Sequence, residues 1–512
     1  MHDGFVNVSV RAGLSGVAAA AVAVGLAEVV AVLTGPLSTP LLAVGGVMVD
    51  NVPPAVKDFG VQVFGVHDKT ALITGTAVLV TAYAFGLGIV ARRSWRWGLA
   101  GIALFAAIGT AAAVTRHDAT VFAALPTLLG AAVAVPLLRY LLGLAEVAAA
   151  GGPGGDAYSN ESRRRFLTAV GIAAVLAAVS GVGGRLLTSR RAVTAARQAV
   201  VLPGPVSAAP TVPPGASLPN VTPYVSTNAD FYRIDTALYP PQVDPTTWTL
   251  KIHGMVRNPI TISWADLLRR PMVERYVTLA CVSNEVGGDL IGNARWLGTP
   301  IKALLDEAQP LPGADQVIQR SADGWTCGSP TAALIDGRDA LLAVGMNGQP
   351  LPVEHGFPVR MVVPGLYGYV SACKWITEIE LSRFSDFDAY WVPRGWSQQA
   401  PIKTESRIDT PRNGARRPAG TITVAGVAWA QHRGIATVEV QVDGGAWLPA
   451  TLAPTVSADT WRQWSVQWPA TKGKHAIRVR ATDTTGATQT STPAAPAPDG
   501  ATGWHSVTIN VE

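Results

Sequence analysis

The sequence predicts a multi-domain chain: an α-helical transmembrane region, then an α+β domain, then a β-sandwich. Three observations predict it. The first third is dominated by Ala, Val, Leu and Gly and holds stretches of about 20 apolar residues, the length a helix needs to cross a bilayer. From about Thr222 to Arg407, strand-like and helix-like runs mix without a βαβ rhythm. From about Thr421, short alternating runs recur every 8–12 residues or so, with turn signals between them. The expected division is 1–150 for four transmembrane helices and 151–190 for an arginine-led segment with a fifth helix. A Pro-rich linker follows at 191–222, the α+β domain at 223–407 and the sandwich at 408–512.

Five stretches qualify as spans: Leu14 to Leu33, Leu72 to Val90, Trp97 to Val114, Val121 to Leu138 and Phe166 to Val182. The stretch Pro36 to Val49 is too short to cross and is followed by Asn51-Val-Pro-Pro, which predicts a re-entrant or interfacial segment. Arg11, Arg92, Arg93, Arg96, Arg139 and Arg163 to Arg165 all fall on one side if the N-terminus is cytoplasmic. Everything after the fifth helix is then extracytoplasmic, which predicts a plasma-membrane protein. Ser162-Arg-Arg-Arg-Phe-Leu167 resembles a twin-arginine export signal, and it also reads as ordinary positive-inside flanking. With no Ala-x-Ala site close behind it, the fifth helix is expected to remain as an anchor. Glu28 lies inside the first span, where an ionisable group is a functional candidate, and near its outer end, where an interfacial position explains it equally. His67 and His117 fall in outer loops, and no facing histidine pair inside the helices is set up to hold a haem.

The run from Ala192 to Pro223 carries Pro203, Pro205, Pro210, Pro213, Pro214 and Pro219 and is expected to be an extended, semi-rigid spacer. Beyond it, Trp248-Thr-Leu-Lys-Ile-His-Gly reads as a strand, and Ser263 caps a short helix. Ile301 to Ala308 is helical behind Pro300. Leu341 to Met346, Asn347-Gly348 and Pro350 make a strand pair on a tight turn, and Pro358 to Pro364 reads as a buried strand. The runs beginning near Ala436, Trp447, Trp461 and His475 alternate as sandwich strands do.

The arginines cluster beside apolar runs and form no basic stripe, and no base-stacking motif accompanies them, so nucleic acid is excluded as a partner. Three cysteines, Cys281, Cys327 and Cys373, are too few and odd in number for a disulfide framework. In an exported domain an unpaired thiol risks oxidation unless it is buried or metal-bound, which favours a ligand role for Cys281. Cys327 and Cys373 read as small buried residues near the site.

Cys281 follows a strand-like run in Thr278-Leu-Ala-Cys-Val-Ser-Asn-Glu285. Then come His355-Gly-Phe-Pro-Val-Arg360 and Lys374-Trp375. In that order these motifs resemble the molybdenum-cofactor domain of the sulfite oxidase family. The resemblance covers about Thr222 to Glu512. It implies a sulfite oxidase-like molybdopterin domain followed by an immunoglobulin-like, dimerisation-type β-sandwich, although the alternation itself does not show a homodimer. It also implies a molybdenum-molybdopterin cofactor, with Cys281 as catalytic metal ligand. A thiolate is the softest anionic ligand a protein offers such a metal. A cofactor installed in the cytoplasm requires folding before export, which the twin-arginine route permits.

The pterin phosphate matches Arg360 as a planar fork and Lys374 as a compact charge; both also read as members of surface ion pairs. His355 is a hydrogen-bond partner in the resemblance, or else a turn-capping histidine before Gly356. Asp323 matches a pterin-bonding position and equally a turn aspartate before Gly324. Asn228 matches the asparagine of the first cofactor loop, with Tyr232 and Arg233 after it; Phe231 and Tyr232 also read as core aromatics. The chain departs from sulfite oxidases on the substrate side. Thr227 stands where they have arginine, Val282-Ser-Asn-Glu285-Val replaces a run with arginines, and Gly324-Trp-Thr-Cys-Gly-Ser-Pro330 lacks their tyrosine. A sulfite dianion needs converging cations, so a neutral small-molecule substrate such as a sulfoxide is favoured over sulfite. The resemblance implies an oxidoreductase moving an oxygen atom or two electrons. A membrane quinol or a cytochrome is expected as electron partner. The alternatives are a methionine sulfoxide-type reductase, a non-catalytic membrane-tethered binding protein, and a transporter or electron conduit built from the helices.

Overall fold

The computed structural model describes residues 2–52, 63, 68–116, 119–150, 157–190 and 193–512. It divides into two compact units, Met1–Ala195 with Thr236–Pro240, and Ala196–Asp235 with Pro241–Glu512.

The first unit is built from α1 (His2–Thr34), α2 (Pro40–Asn51), α3 (Asp68–Arg93), α4 (Trp95–Val114), α5 (Leu125–Ala150) and α6 (Ala157–Arg190). Among the described residues five segments are long and apolar enough to cross a membrane: Val8–Thr34, Thr70–Arg93, Trp95–Val114, Val121–Ala148 and Glu161–Gly184. They contain the five expected spans and extend most of them. Helix α1 lies against α3, α5 and α6. Small residues four apart let α1 and α3 touch backbone to backbone, because a Cβ on Gly16 would collide with the Ala84 carbonyl and one on Gly88 with the Ala12 carbonyl. Helix α2 is the expected short apolar segment and packs on α4. Glu28 is buried where α1 meets the backbone of Gly184. His67 and His117 lie outside the described residues.

The second unit begins with the Pro-rich run. The sequence predicts a run extended throughout; its first part is instead a short helix, Val193–Ala199, and only from Val200 on is it extended, and that part does not hang free. Val206 N–H bonds to Met272 O (2.8 Å), Glu274 N–H to Ser207 O (2.8 Å), and Ala216 is fully buried. An extended chain offers its own unpaired backbone groups, and a sheet edge is where they find partners.

Then follow β1 (Thr249–Gly254), β2 (Ile260–Ser263), α7 (Trp264–Leu268), β3 (Val273–Ala280), β4 (Ile291–Pro300) and α8 (Ile301–Ala308). Next come β5 (Gln316–Ser321), β6 (Thr326–Pro330), α9 (Thr331–Ile335), β7 (Leu341–Met346), β8 (Gln349–Pro350), β9 (Arg360–Val362) and β10 (Ile376–Ser382). One sheet runs β2-β1-β10-β5-β6 and a second runs β3-β4-β7-β8, with β9 added to β7. Ser263 caps α7 through a full capping box with Asp266. The turn between β7 and β8 has positive φ at both Asn347 (52°) and Gly348 (81°), the conformation that favours this pair in a two-residue hairpin. The strand expected from Pro358 to Pro364 is shorter, Arg360–Val362, because prolines bound it and only three residues pair with β7.

The sandwich comprises β11 (Glu405–Thr410), β12 (Arg416–Arg417), β13 (Gly420–Trp429), β14 (Ile435–Val442), β15 (Trp447–Pro449), β16 (Thr451–Leu452), β17 (Arg462–Ala470), β18 (Gly473–Asp483) and β19 (Ser506–Val511). Its sheets are β11-β13-β17-β16 and β12-β19-β18-β14-β15. Val424, Val440, Trp464, Ile477, Val479 and Ile509 fill its core and are fully buried.

The sandwich grips strand β3 through Thr278, which has no exposed surface. Trp461 N–H donates to Thr278 Oγ1 (2.8 Å), Gln431 Nε2 to Thr278 O (3.0 Å), and Thr278 N–H to Asp459 O (2.9 Å). Removing the hydroxyl strands the buried Trp461 N–H. Thr278→Val is therefore expected to cost about 1–3 kcal/mol, read as a lower unfolding midpoint of the full chain in detergent.

Candidate functional site

Strand β3 ends at Ala280 and delivers Cys281 into a tightly wound loop. Cys281 N–H bonds to Leu290 O (2.9 Å), Asn284 N–H to Cys281 O (3.1 Å), and Leu290 N–H to Asn284 Oδ1 (2.8 Å). The sulfur is buried, with the N–H and hydroxyl of Ser283 and the N–H of Val282 on the loop beside it. Burial pushes its thiol pKa up, and these groups, with nearby Lys374, pull the other way. Cys327 and Cys373 are fully buried and carry no disulfide, as expected of small core residues, and Cys373 Sγ donates to Lys374 O (3.6 Å).

The His-Gly-Phe-Pro-Val-Arg motif brings three segments together. Gly356 has φ 110°, and a Cβ there would sit 3.0 Å from Arg360 Cβ and 3.1 Å from Lys374 Cβ. Only glycine combines that backbone with that approach. Arg360 opens β9 and is 5% exposed. Its Nη1 donates to His355 O (3.1 Å), its Nε to Met361 O (3.3 Å), and its guanidinium lies 5.0 Å from the centroid of the Trp296 ring. Among the described residues no carboxylate lies within ion-pair distance of it. Burial brings its pKa down to about 10. Lys374 Nζ donates to Asp235 Oδ2 (2.8 Å), and burial lowers its pKa to about 8. The surface ion-pair reading fails for both: Lys374 pairs with Asp235 but the pair is buried, and Arg360 has no carboxylate partner among the described residues.

His355 Nε2 faces the Asn228 carbonyl at 3.1 Å. A carbonyl only accepts, so Nε2 carries the hydrogen. Burial, with Arg360 and Lys374 alongside, holds the pKa of His355 down at about 4, and the ring is neutral. Asn228 Oδ1 accepts from Asn347 Nδ2 (2.8 Å), which ties the first loop to the β7–β8 turn. Phe231 is a core aromatic, edge-on to both Trp296 and His355. Tyr232 is half-buried; its hydroxyl is 3.9 Å from where a Gly368 Cβ would be. Burial raises its pKa, Cys281 adds to that and Arg360 opposes it. Arg233 is more exposed and shares Asp235 with Lys374 (2.9 Å). Asp323 Oδ1 caps its own turn at Trp325 N–H (3.1 Å), and that turn is held to the Lys374-Trp375 stretch by Ala322 N–H to Trp375 O (2.9 Å).

Asn228, Tyr232, Cys281, His355, Arg360 and Lys374 therefore converge, with Arg233 at the rim and Asp323 on an adjoining turn. Sequence reasoning missed Asp235, Trp296, Ser283 and the second role of Asn347. The set fits a molybdopterin: a buried sulfur donor lies near Lys374 and Arg233, which share the Asp235 carboxylate, and near Arg360, a buried guanidinium with no carboxylate partner among the described residues.

The family described as "Oxidoreductase molybdopterin binding domain" matches residues 237–391, and "Bacterial Ig domain" matches 405–479. Sulfite oxidase of Gallus gallus is 31% identical over 284 residues, 46% of this chain and 61% of that protein. The uncharacterized oxidoreductase YuiH of Bacillus subtilis is 31% identical over 176 residues, 34% of this chain and 85% of the other. The protein-methionine-sulfoxide reductase catalytic subunit MsrP of Gluconobacter oxydans is 32% identical over 206 residues, 35% and 61% respectively. The chain spans less than two thirds of the length of the sulfite oxidases it matches.

His355 carries a pH prediction. Its folded pKa, about 4, lies below the ordinary 6.5, so the folded state binds fewer protons. Its share of stability is complete above about pH 6.5 and is lost as pH falls toward 4, by about 1.4 kcal/mol per unit. His355→Gln is expected to narrow the gap between melting temperatures measured at pH 7 and pH 4.5.

Proposed function

The chain belongs to the sulfite oxidase family of molybdopterin-binding oxidoreductases, and from that premise we propose a membrane-anchored, extracytoplasmic molybdenum enzyme that reduces a small neutral S-oxide. The observation that carries the cofactor assignment is Arg360, a buried guanidinium with carbonyls and an indole face around it and no carboxylate among the described residues. A phosphate is the natural counter-ion for such a fork.

In this reading Cys281 supplies the protein's thiolate to the metal, and the donor groups of Ser283 and Val282 beside it favour its negative charge. Arg360 and Lys374 bind the pterin phosphate, and Asp235 holds Lys374 in place. Neutral His355 and Asn228 orient the pterin, with Arg233 and Asp323 at its edge. When bound, the molybdopterin supplies the two-electron couple and accepts or gives the oxygen atom. Tyr232 stays protonated and presents an O–H donor near Cys281.

The substrate class follows from charge. Thr227 Oγ1 bonds to Asp230 (2.7 Å), Glu285 is exposed, and neither Val282 nor Trp325 offers a cation. The likeness to MsrP, named for a sulfoxide substrate, agrees. The five apolar helices support anchoring, the arginine pattern supports an extracytoplasmic domain exported by the twin-arginine route, and a quinol or cytochrome would supply electrons.

Purified full chain is expected to carry about one molybdenum per protein by metal analysis, and Cys281→Ser to lose it along with turnover. Arg360→Gln should lower cofactor occupancy about 10–100-fold. With reduced viologen as donor, a sulfoxide panel should turn over and sulfite should not be oxidised. Well-folded wild-type chain from a cofactor-competent host without molybdenum would overturn the reading.

A further inference from the structure

We propose that the C-terminal sandwich is a working part of the Cys281 site, with Arg407 and His505 as positioning residues that hold the cysteine loop. The proposal rests on the reading of Cys281 as the metal ligand and assigns a role to side chains outside that cluster.

Arg407 lies on β11 and is 7% exposed. Its Nε donates to Asp409 Oδ1 (2.6 Å), its Nη2 to Thr222 Oγ1 (2.8 Å) and its Nη1 to Gly288 O (2.7 Å). Asp409 also accepts from Thr222 N–H (2.9 Å), so the carboxylate both neutralises the guanidinium and fixes its plane. The remaining fork is thereby aimed at the loop carbonyl. His505, just before β19, accepts Ile408 N–H at Nδ1 (2.9 Å), which requires the neutral tautomer with hydrogen on Nε2. The other edge of that ring packs on Gly287. A Cβ there would overlap His505 Cδ2 and Nε2, and the φ of 82° independently favours glycine. Val286 reaches the sandwich as well, 3.7 Å from where a Gly503 Cβ would stand.

These contacts have leverage on the sulfur because the loop is closed on itself. Gly287 and Gly288 lie between Asn284 and Leu290, whose bonds to each other and to Cys281 set the cysteine backbone. The Ser283 and Val282 donor groups beside the sulfur belong to the same loop. A shift at Gly288 therefore changes the aim of the thiolate, and misplacement by about 1 Å is enough to cost about 100-fold in rate. The sandwich already holds the strand before Cys281 at Thr278. Arg407 and His505 hold the loop after it, so the ligand is clamped from both sides by one domain.

The test uses the full chain in detergent, prepared with and without cofactor. In the cofactor-free chain the rate of Cys281 alkylation by iodoacetamide is mapped by mass spectrometry. In the loaded chain the sulfur-to-molybdenum charge-transfer absorption is recorded, with kcat and KM. Arg407→Met and His505→Leu are expected to raise the alkylation rate about tenfold, shift the absorption band and lower kcat with little change in KM. Arg407→Lys should recover most of the loss. His505→Asn keeps an acceptor for Ile408 and should recover part. Gly287→Ala disturbs the same contact from the loop side and serves where a sandwich variant does not fold. Folded variants, Gly287→Ala included, with wild-type alkylation and absorption would overturn the proposal. A wild-type chain lacking molybdenum would instead overturn the assignment of the cofactor, while the alkylation series still decides whether the sandwich positions Cys281.

Discussion

A guanidinium buried without a carboxylate is the constraint on which the second unit's site is built. Taking such a charge from water costs several kcal/mol even after relaxation. At Arg360 the cost is only partly offset, by two backbone carbonyls and the face of Trp296. Its surroundings are arranged so that nothing else competes. His355 beside it is kept neutral, Lys374 is screened by Asp235, and Gly356 has no side chain, so the segments bearing Arg360 and Lys374 can meet. Arg233 and Lys374 share one carboxylate, Asp235, and Arg360 has none among the described residues. A site with that imbalance is destabilised when empty and stabilised by an anion, which couples folding of the unit to loading of its ligand.

The thiol at Cys281 poses the opposite problem. Its burial favours the neutral form, whereas a metal ligand must be a thiolate. Ser283, Val282 and the charge of Lys374 lean toward the anion, and in the proposed reading a bound metal would complete the shift. Those groups work only if the loop holds its shape. That is why so many groups from a separate sandwich converge on Thr278, Gly287 and Gly288. A buried N–H such as that of Trp461 or Ile408 must be paired somewhere, and here each is paired across or beside the domain boundary.

What was legible in the sequence is what rests on local signals. The spans follow from length and hydropathy, the Ser263 cap from an oxygen placed before a helix, and the Asn347-Gly348 turn from residues that tolerate positive φ. The cluster of Cys281, His355, Arg360 and Lys374 was legible because motifs carry it. Asp235 was not, since an aspartate five residues after a plain Ala-Asp pair carries no signal until Lys374 is folded onto it. Arg407 and His505 were hidden for the same reason: Arg407 meets a loop that precedes it by 119 residues. From Val200 on, the Pro-rich run was legible as extended chain. Its attachment to the edge of β3 was not, because that depends on which backbone groups the folded sheet leaves unpaired.

Charge placement also separates the two ends of the site. Arg360, Lys374 and Arg233 gather where the pterin phosphate is assigned. On the side assigned to substrate, Thr227 spends its hydroxyl on Asp230, and Val282, Ser283 and Asn284 bring no charge. One unit charge at 4 Å contributes about 4 kcal/mol at an effective dielectric near 20. A dianion such as sulfite loses a contribution of that order for each converging cation that is missing, whereas a neutral S-oxide loses none. A protonated hydroxyl such as that of Tyr232 suits the oxygen of a neutral acceptor better than it suits two negative charges. In the proposed reading the chain spends its cations on holding a cofactor and leaves the reacting side neutral, an arrangement that would select against anions.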